Sequence, residues 1–102
     1  LRIPHKVKVG AITYTVEDVA RQFSRESLFG QIFYGDHRIE LAEDISEQRR
    51  FQTFIHELVH AILFEMGMED YNDEEFVRRL ANMLTQVIVA NEWEITTEED
   101  EQ

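Results

Sequence analysis

Residues 51–66, FQTFIHELVHAILFEM, leave this chain few ways to fold. Their apolar side chains recur with a helical period. At 100° per residue, Phe54, Ile55, Leu58, Val59, Ile62, Leu63 and Met66 share one broad face, and His56 and His60 fall opposite it. Histidines four residues apart on a helix stand one turn above each other, so both rings can bind the same metal ion. Glu57 projects beside such an ion rather than onto it, where it can take a proton from water. His56-Glu57-x-x-His60 is the H-E-x-x-H zinc arrangement. Chance produces it in a chain this short with a probability of roughly a few in a thousand. The competing reading is a surface helix with solvated histidines and an ordinary exposed Glu57. Histidines that merely filled a core would fall among the leucines.

The flanking residues mark out the rest. Asp44 with Glu47 predicts a capping box, and Gly67 predicts a stop, so the metal helix spans 45–66. After the acidic loop 68–72, a second helix is predicted over 73–90, with Phe76, Val77, Leu80, Ala81, Met83, Leu84, Val87 and Ile88 as its apolar stripe. So short a connection predicts antiparallel packing, which holds the start of the second helix beside the metal helix.

Upstream, the period changes to two. Val7, Val9, Ile12, Tyr14 and Val16 alternate with Lys8, Thr13 and Thr15 around Gly10-Ala11, a β-hairpin with Lys6 and Lys8 on its solvent side. Residues 17–24 fit a short amphipathic helix with Thr15 as a candidate cap. Strands at 31–34 and 37–41 follow, joined at Gly35-Asp36. Placed at a sheet edge beside the metal, the second of these would offer free backbone groups to an extended peptide. A plain structural strand is the equal alternative. The sum is an α+β fold: a small N-terminal β-sheet, a short helix, and two packed helices carrying the site.

A chain of 102 residues without cysteine has one core to build and no disulfide or thiolate zinc site to brace it. A bound metal would add its affinity to the folding free energy. Residues 1–95 are expected to form a single domain and 96–102 an acidic C-terminal tail. The formal net charge of −11 argues against binding a phosphate backbone and fits a basic protein partner. No run approaches the length of a membrane span and the start shows no apolar signal segment, so no membrane association and a cytoplasmic location are expected. No feature sets the oligomeric state.

A catalytic zinc takes three protein ligands and keeps one position for water. No histidine follows His60, which leaves a carboxylate, with Asp73, Glu74 and Glu75 as candidates. On the helical wheel Glu74 borders the apolar stripe of the second helix and Glu75 points away from it. Asp73 doubles as an N-cap candidate, and Glu75 can form a capping box with Asn72. Glu74 is therefore the expected third ligand, with the other two as alternatives.

His56-Glu57-x-x-His60 followed by Glu74, Val77 and Leu80-Ala81 resembles the gluzincin group of zinc peptidases, in which a glutamate from a following helix completes the site. Within that group the chain is most similar to the compact ImmA/IrrE-type metallopeptidases and related phage-encoded proteins, over residues 38–90. Their downstream pattern is a glutamate, a small residue three further on, then an aromatic-alanine pair. That register independently favours Glu74. The chain departs in Val77 for the usual alanine, Arg78 where Asn or Asp is common, and Leu84-Thr85-Gln86-Val87 for a Leu-Leu-Met-Pro-like ending.

The resemblance implies a minimal zincin-like domain and a zinc-dependent endopeptidase acting on a protein or peptide substrate. His56, His60 and Glu74 would hold Zn2+ and Glu57 would serve as general base. Tyr34, His37 and Tyr71 are possible donors to the oxyanion, each set against the commoner role of an aromatic in so small a domain, which is packing. Two other readings compete. One is a catalytically silent zinc-fold module that binds a protein. The other is a purely structural site closed by a fourth ligand from Glu69, Asp70 or Asp73.

Overall fold

A computed structural model describes residues 2–20 and 29–91. The elements in chain order are β1 (Lys6–Val9), β2 (Ile12–Val19), β3 (Gly30–Phe33), β4 (Arg38–Ala42), α1 (Glu47–Glu65), a 3-10 turn (Glu69–Asn72) and α2 (Glu74–Ala90). This is an α+β fold in which a four-stranded mixed sheet is followed by two packed helices. No helix among the described residues is long and apolar enough to cross a membrane. The acidic tail 96–102 lies outside the described residues.

The hairpin forms as its alternation predicts. Val9 pairs with Ile12 across Gly10, whose φ of 61° suits a residue without a Cβ. Val9, Tyr14 and Val16 are buried, while Lys6 and Lys8 are exposed. The short helix expected over 17–24 is overturned at its start. Glu17, Asp18 and Val19 continue β2 and pair in parallel with Glu40, Leu41 and Ala42 of β4. Val16 and Val19 fit a helical spacing, but a neighbouring strand offers these residues a hydrogen-bonded ladder. Residues 21–24 of that helix lie outside the described residues.

The strand order β1-β2-β4-β3 puts β4 inside the sheet, between a parallel and an antiparallel neighbour. Of the two readings of this strand the edge is therefore overturned and the structural one holds: β3 is the edge on that side. Burial explains the choice, since Ile39, Leu41 and Ala42 are all fully buried while Gln31, Ile32 and Phe33 are only half-buried. The turn between them is longer than Gly35-Asp36. It spans 34–37, closed by the His37 N–H donating to the Tyr34 carbonyl at 3.3 Å, with His37 in the left-handed region at φ 52°.

Gly30 sets how closely β3 approaches α1. A Cβ there would meet Thr53 Cγ2 at 2.6 Å and the Glu40 carbonyl oxygen at 2.9 Å, so only glycine fits between the edge strand and the helix.

α1 begins two residues later than expected. Ser46, not Asp44, is its N-cap, with the hydroxyl accepting from the Arg49 N–H at 3.1 Å. Glu47 thereby becomes the first helical residue and cannot close the expected box. The stop at Gly67 is as expected. Gly67 has φ 75°, its N–H donates to the Phe64 carbonyl, and the Met68 N–H donates to Leu63, both at 3.0 Å. This pair of bonds is a Schellman motif.

The buried residues of α1 include Phe51, Phe54, Ile55, Val59, Ala61 and Leu63, together with Thr53, Glu57 and His60. They encircle the helix, because the sheet and α2 both pack on it. The histidine side is thus covered rather than solvated, and it is the end of the apolar face, Ile62 and Met66, that is exposed. α2 runs antiparallel, with Gln52 bonded to Asn82 in the middle of α2 and His56, one turn further along α1, meeting Glu74 at the start of α2. Of its predicted stripe only Val77 and Ala81 are buried; Phe76, Leu80, Met83, Leu84 and Val87 are exposed.

Candidate metal centre

α1 presents His56 and His60 from successive turns, with ring centroids 5.1 Å apart. Glu74 reaches them from the first residue of α2. The Schellman stop, the 3-10 turn and the Asp73 cap fold the chain back within a few residues, and this reversal brings Glu74 over the histidines. One carboxylate oxygen, Oε2, lies 3.1 Å from His56 Nε2, and the other, Oε1, lies 2.9 Å from His60 Nε2. One ligand atom from each residue lies within 4.8 Å of the others. Tetrahedral bonds of zinc length hold donor atoms roughly 3.3 Å apart, so the three side chains need little movement to share an ion.

The donor chemistry fits as well. His60 Nδ1 sits 2.7 Å from the Tyr71 carbonyl oxygen, which can only accept, so Nδ1 carries the proton. In the neutral ring Nε2 is then a bare lone pair facing a carboxylate oxygen. Two acceptors at that distance repel unless a cation, a proton or a metal, lies between them. Fixing one histidine nitrogen on a backbone carbonyl is also how metal-binding imidazoles are commonly oriented. His56 is held below the ordinary histidine range, first by burial and then by the neighbouring His60, against the opposing pull of Glu74. A neutral imidazole is the form that binds metal.

Glu57 lies beside this group and is buried, with 7% of its surface exposed. Its pKa is pushed up to about 8, first by burial and then by the charge of Glu74. A carboxyl group tuned to that range can both accept and return a proton near neutral pH.

The alternatives for the third ligand are occupied elsewhere. Asp73 caps α2, its Oδ1 accepting from the Phe76 N–H at 3.1 Å, and Glu75 pairs with Arg79 at 2.8 Å. Among the described residues no fourth histidine or carboxylate joins the group.

The three candidate oxyanion donors separate. His37 packs against Tyr14, with ring centroids 5.9 Å apart. Tyr34 and Tyr71 join Phe64, one turn beyond His60, in an aromatic cluster. Tyr34 stacks on Phe64 at 4.4 Å, and Tyr71 meets both rings edge-on, at 5.1 Å from Phe64 and 5.4 Å from Tyr34. The part of Tyr71 that sequence reasoning misses is its carbonyl, since every residue carries one and only the fold selects which reaches His60. The place of Phe64 is readable, because it continues the spacing of His56 and His60.

Compared with known proteins, the chain matches no family model, no curated protein and no solved structure.

Proposed function

We propose that this chain is a zinc-dependent endopeptidase of the gluzincin type, akin to the ImmA/IrrE proteins it resembles in motif, hydrolysing a peptide bond in a specific protein substrate. The observation that carries the reading is the convergence of His56 Nε2, His60 Nε2 and the Glu74 carboxylate beside a buried Glu57. In this reading those three side chains hold the ion as one anionic and two neutral ligands. Bound there, zinc supplies Lewis acidity, which acidifies water and polarises a carbonyl. The Glu57 carboxylate takes the proton of the attacking water and passes it to the leaving amine nitrogen. The Tyr71 carbonyl keeps the His60 ring in register throughout. A three-residue group leaves a position for water, which favours this reading over a closed structural site.

The charge of −11 suits a substrate with a basic segment and not a nucleic acid. The lack of cysteine suits the reducing cytoplasm, where we place the protein.

The second reading, a catalytically silent module that binds a protein, draws on the exposed apolar residues of α2, Phe76, Leu80, Leu84 and Val87. One experiment separates the two. Zinc-loaded wild type and Glu57→Gln are each incubated with a mixed peptide library and the products are read by mass spectrometry. The peptidase reading expects about one zinc on both proteins and new termini only with the wild type. Cleavage by neither, with zinc bound to both, favours the binding module. A folded wild type that takes up no zinc sinks the peptidase reading and leaves the binding module.

A further inference from the structure

Tyr34 occupies the first position of the turn between β3 and β4, and its side chain reaches over α1 to the aromatic cluster beside the metal centre. Its hydroxyl oxygen is buried and has no hydrogen-bond partner, the only such side-chain atom among the described residues. A buried hydroxyl without a partner is a net cost to the fold, and phenylalanine would fill the same ring position without it. The ring itself is fixed, stacked on Phe64 at 4.4 Å and edge-on to Tyr71 at 5.4 Å, so the hydroxyl cannot swing out to water without breaking both contacts. It lies in the field of the site's own carboxylates. Burial first, then Glu57, Tyr71 and Glu74, raise its pKa above the ordinary tyrosine value, which keeps it protonated and therefore a donor.

We infer that the Tyr34 hydroxyl is a catalytic hydrogen-bond donor, aimed at the oxygen on which negative charge develops as a peptide carbonyl bound at the His56–His60–Glu74 centre becomes tetrahedral. The inference rests on the peptidase reading above. A donor that is fixed, desolvated and unpaired before the substrate arrives needs no reorganisation during the reaction, and that is the condition under which such a bond contributes most. Tyr71, although its ring is in the same cluster, is a positioning residue: it acts through its carbonyl on His60.

The test uses a tetrahedral anion in place of a substrate. Zinc-loaded wild type, Tyr34→Phe and, as a control, Tyr14→Phe, whose hydroxyl is paired with Glu65, are titrated with an N-phosphoryl-leucyl dipeptide by calorimetry, with metal content and melting temperature measured on the same samples. The expected result is affinity for the phosphoryl dipeptide falling roughly 10- to 100-fold in Tyr34→Phe. Tyr14→Phe should bind as the wild type does, all three should retain zinc, and Tyr34→Phe should melt no lower than the wild type. Equal affinity of wild type and Tyr34→Phe would overturn the inference while leaving the metal site standing. So would an equal loss in Tyr14→Phe, or a zinc-loaded wild type that does not bind the phosphoryl group. A wild type that holds no zinc would overturn the peptidase reading and this inference together.

Discussion

His60 stands between two oxygens: its Nε2 lies 2.9 Å from Glu74 Oε1, and its other nitrogen donates to the Tyr71 carbonyl at 2.7 Å. The two helices are thus joined at their near ends by a contact that is unfavourable without a cation and favourable with one. Most of the behaviour expected of this protein follows from that contact and from the buried Glu57 beside it.

Metal should act as a folding ligand. An ion that binds the folded state alone, at a free concentration 100 times its Kd, adds roughly 2.7 kcal/mol, and a domain of this size gains roughly 4–8 °C per kcal/mol. Zinc should therefore raise the melting temperature by roughly 10–20 °C, chelation should reverse the gain, and His60→Ala should abolish it. Differential scanning calorimetry with and without chelator reads all three. An equal gain in His60→Ala would place the ion somewhere else.

Glu74 and Glu75 should behave as opposites although they are adjacent. Glu74 bridges both histidines, while Glu75 forms an exposed pair with Arg79 one turn along the helix. Losing a supporting residue costs metal affinity roughly 10- to 100-fold, and losing a ligand should cost more than that. Competition with a chromophoric chelator should show Glu74→Ala beyond this range and Glu75→Ala within about twofold of the wild type. The reverse order would remove Glu74 from the site.

The metal-free protein should lose stability as pH rises, because of Glu57. Its folded pKa of about 8 stands well above that of an ordinary glutamate, so the folded chain holds this proton more tightly than the unfolded one. The associated stability is fully present below the unfolded value and is lost as pH climbs through the folded one. Glu57→Gln has no charge to bury. In chelator it should be about as stable as the wild type near pH 5 and more stable near pH 8.5, by on the order of a few kcal/mol, as read from thermal unfolding. Parallel melting curves across that window would mean that Glu57 is not desolvated.

How much of this was legible depended on how local the determining physics is. α1, α2, the hairpin at Gly10 and the stop at Gly67 follow from periodicity and from a glycine at a positive φ, both properties of a few neighbouring residues. That Glu74 comes to lie beside the histidines was legible because the helical period fixes its angle to Val77 and Ala81, which are fully buried. The cap was misplaced because Asp44 and Ser46 are both good capping residues and only the path of the chain chooses between them. Strand order was not legible, since Ile39 and Leu41 would be apolar in any inward-facing strand, and the extension of β2 through Val19 depends on β4, which lies a long way along the chain. The predicted stripe of α2 was too wide. Burial follows what packs on each side, and among the described residues only the line through Val77 and Ala81 is fully covered.

Gly30 supplies a structural prediction independent of the metal. The edge strand β3 approaches α1 so closely that a Cβ at Gly30 would stand 2.6 Å from Thr53 Cγ2 and 2.9 Å from the Glu40 carbonyl oxygen. The first clash is with a side chain and the second with backbone, so the two respond differently to a change at position 53. Thr53 is buried and its hydroxyl already donates to the Arg49 carbonyl at 2.7 Å, which leaves its methyl no room to rotate away. Gly30→Ala should therefore cost roughly 1–3 kcal/mol, the usual range for overpacking. Thr53→Ser removes the offending methyl and keeps the hydroxyl, so in the double variant part of the loss should return, with the remainder set by the Glu40 carbonyl. Chemical denaturation of the four proteins closes the cycle. Strict additivity of the two substitutions would mean that β3 does not press on α1 at this point.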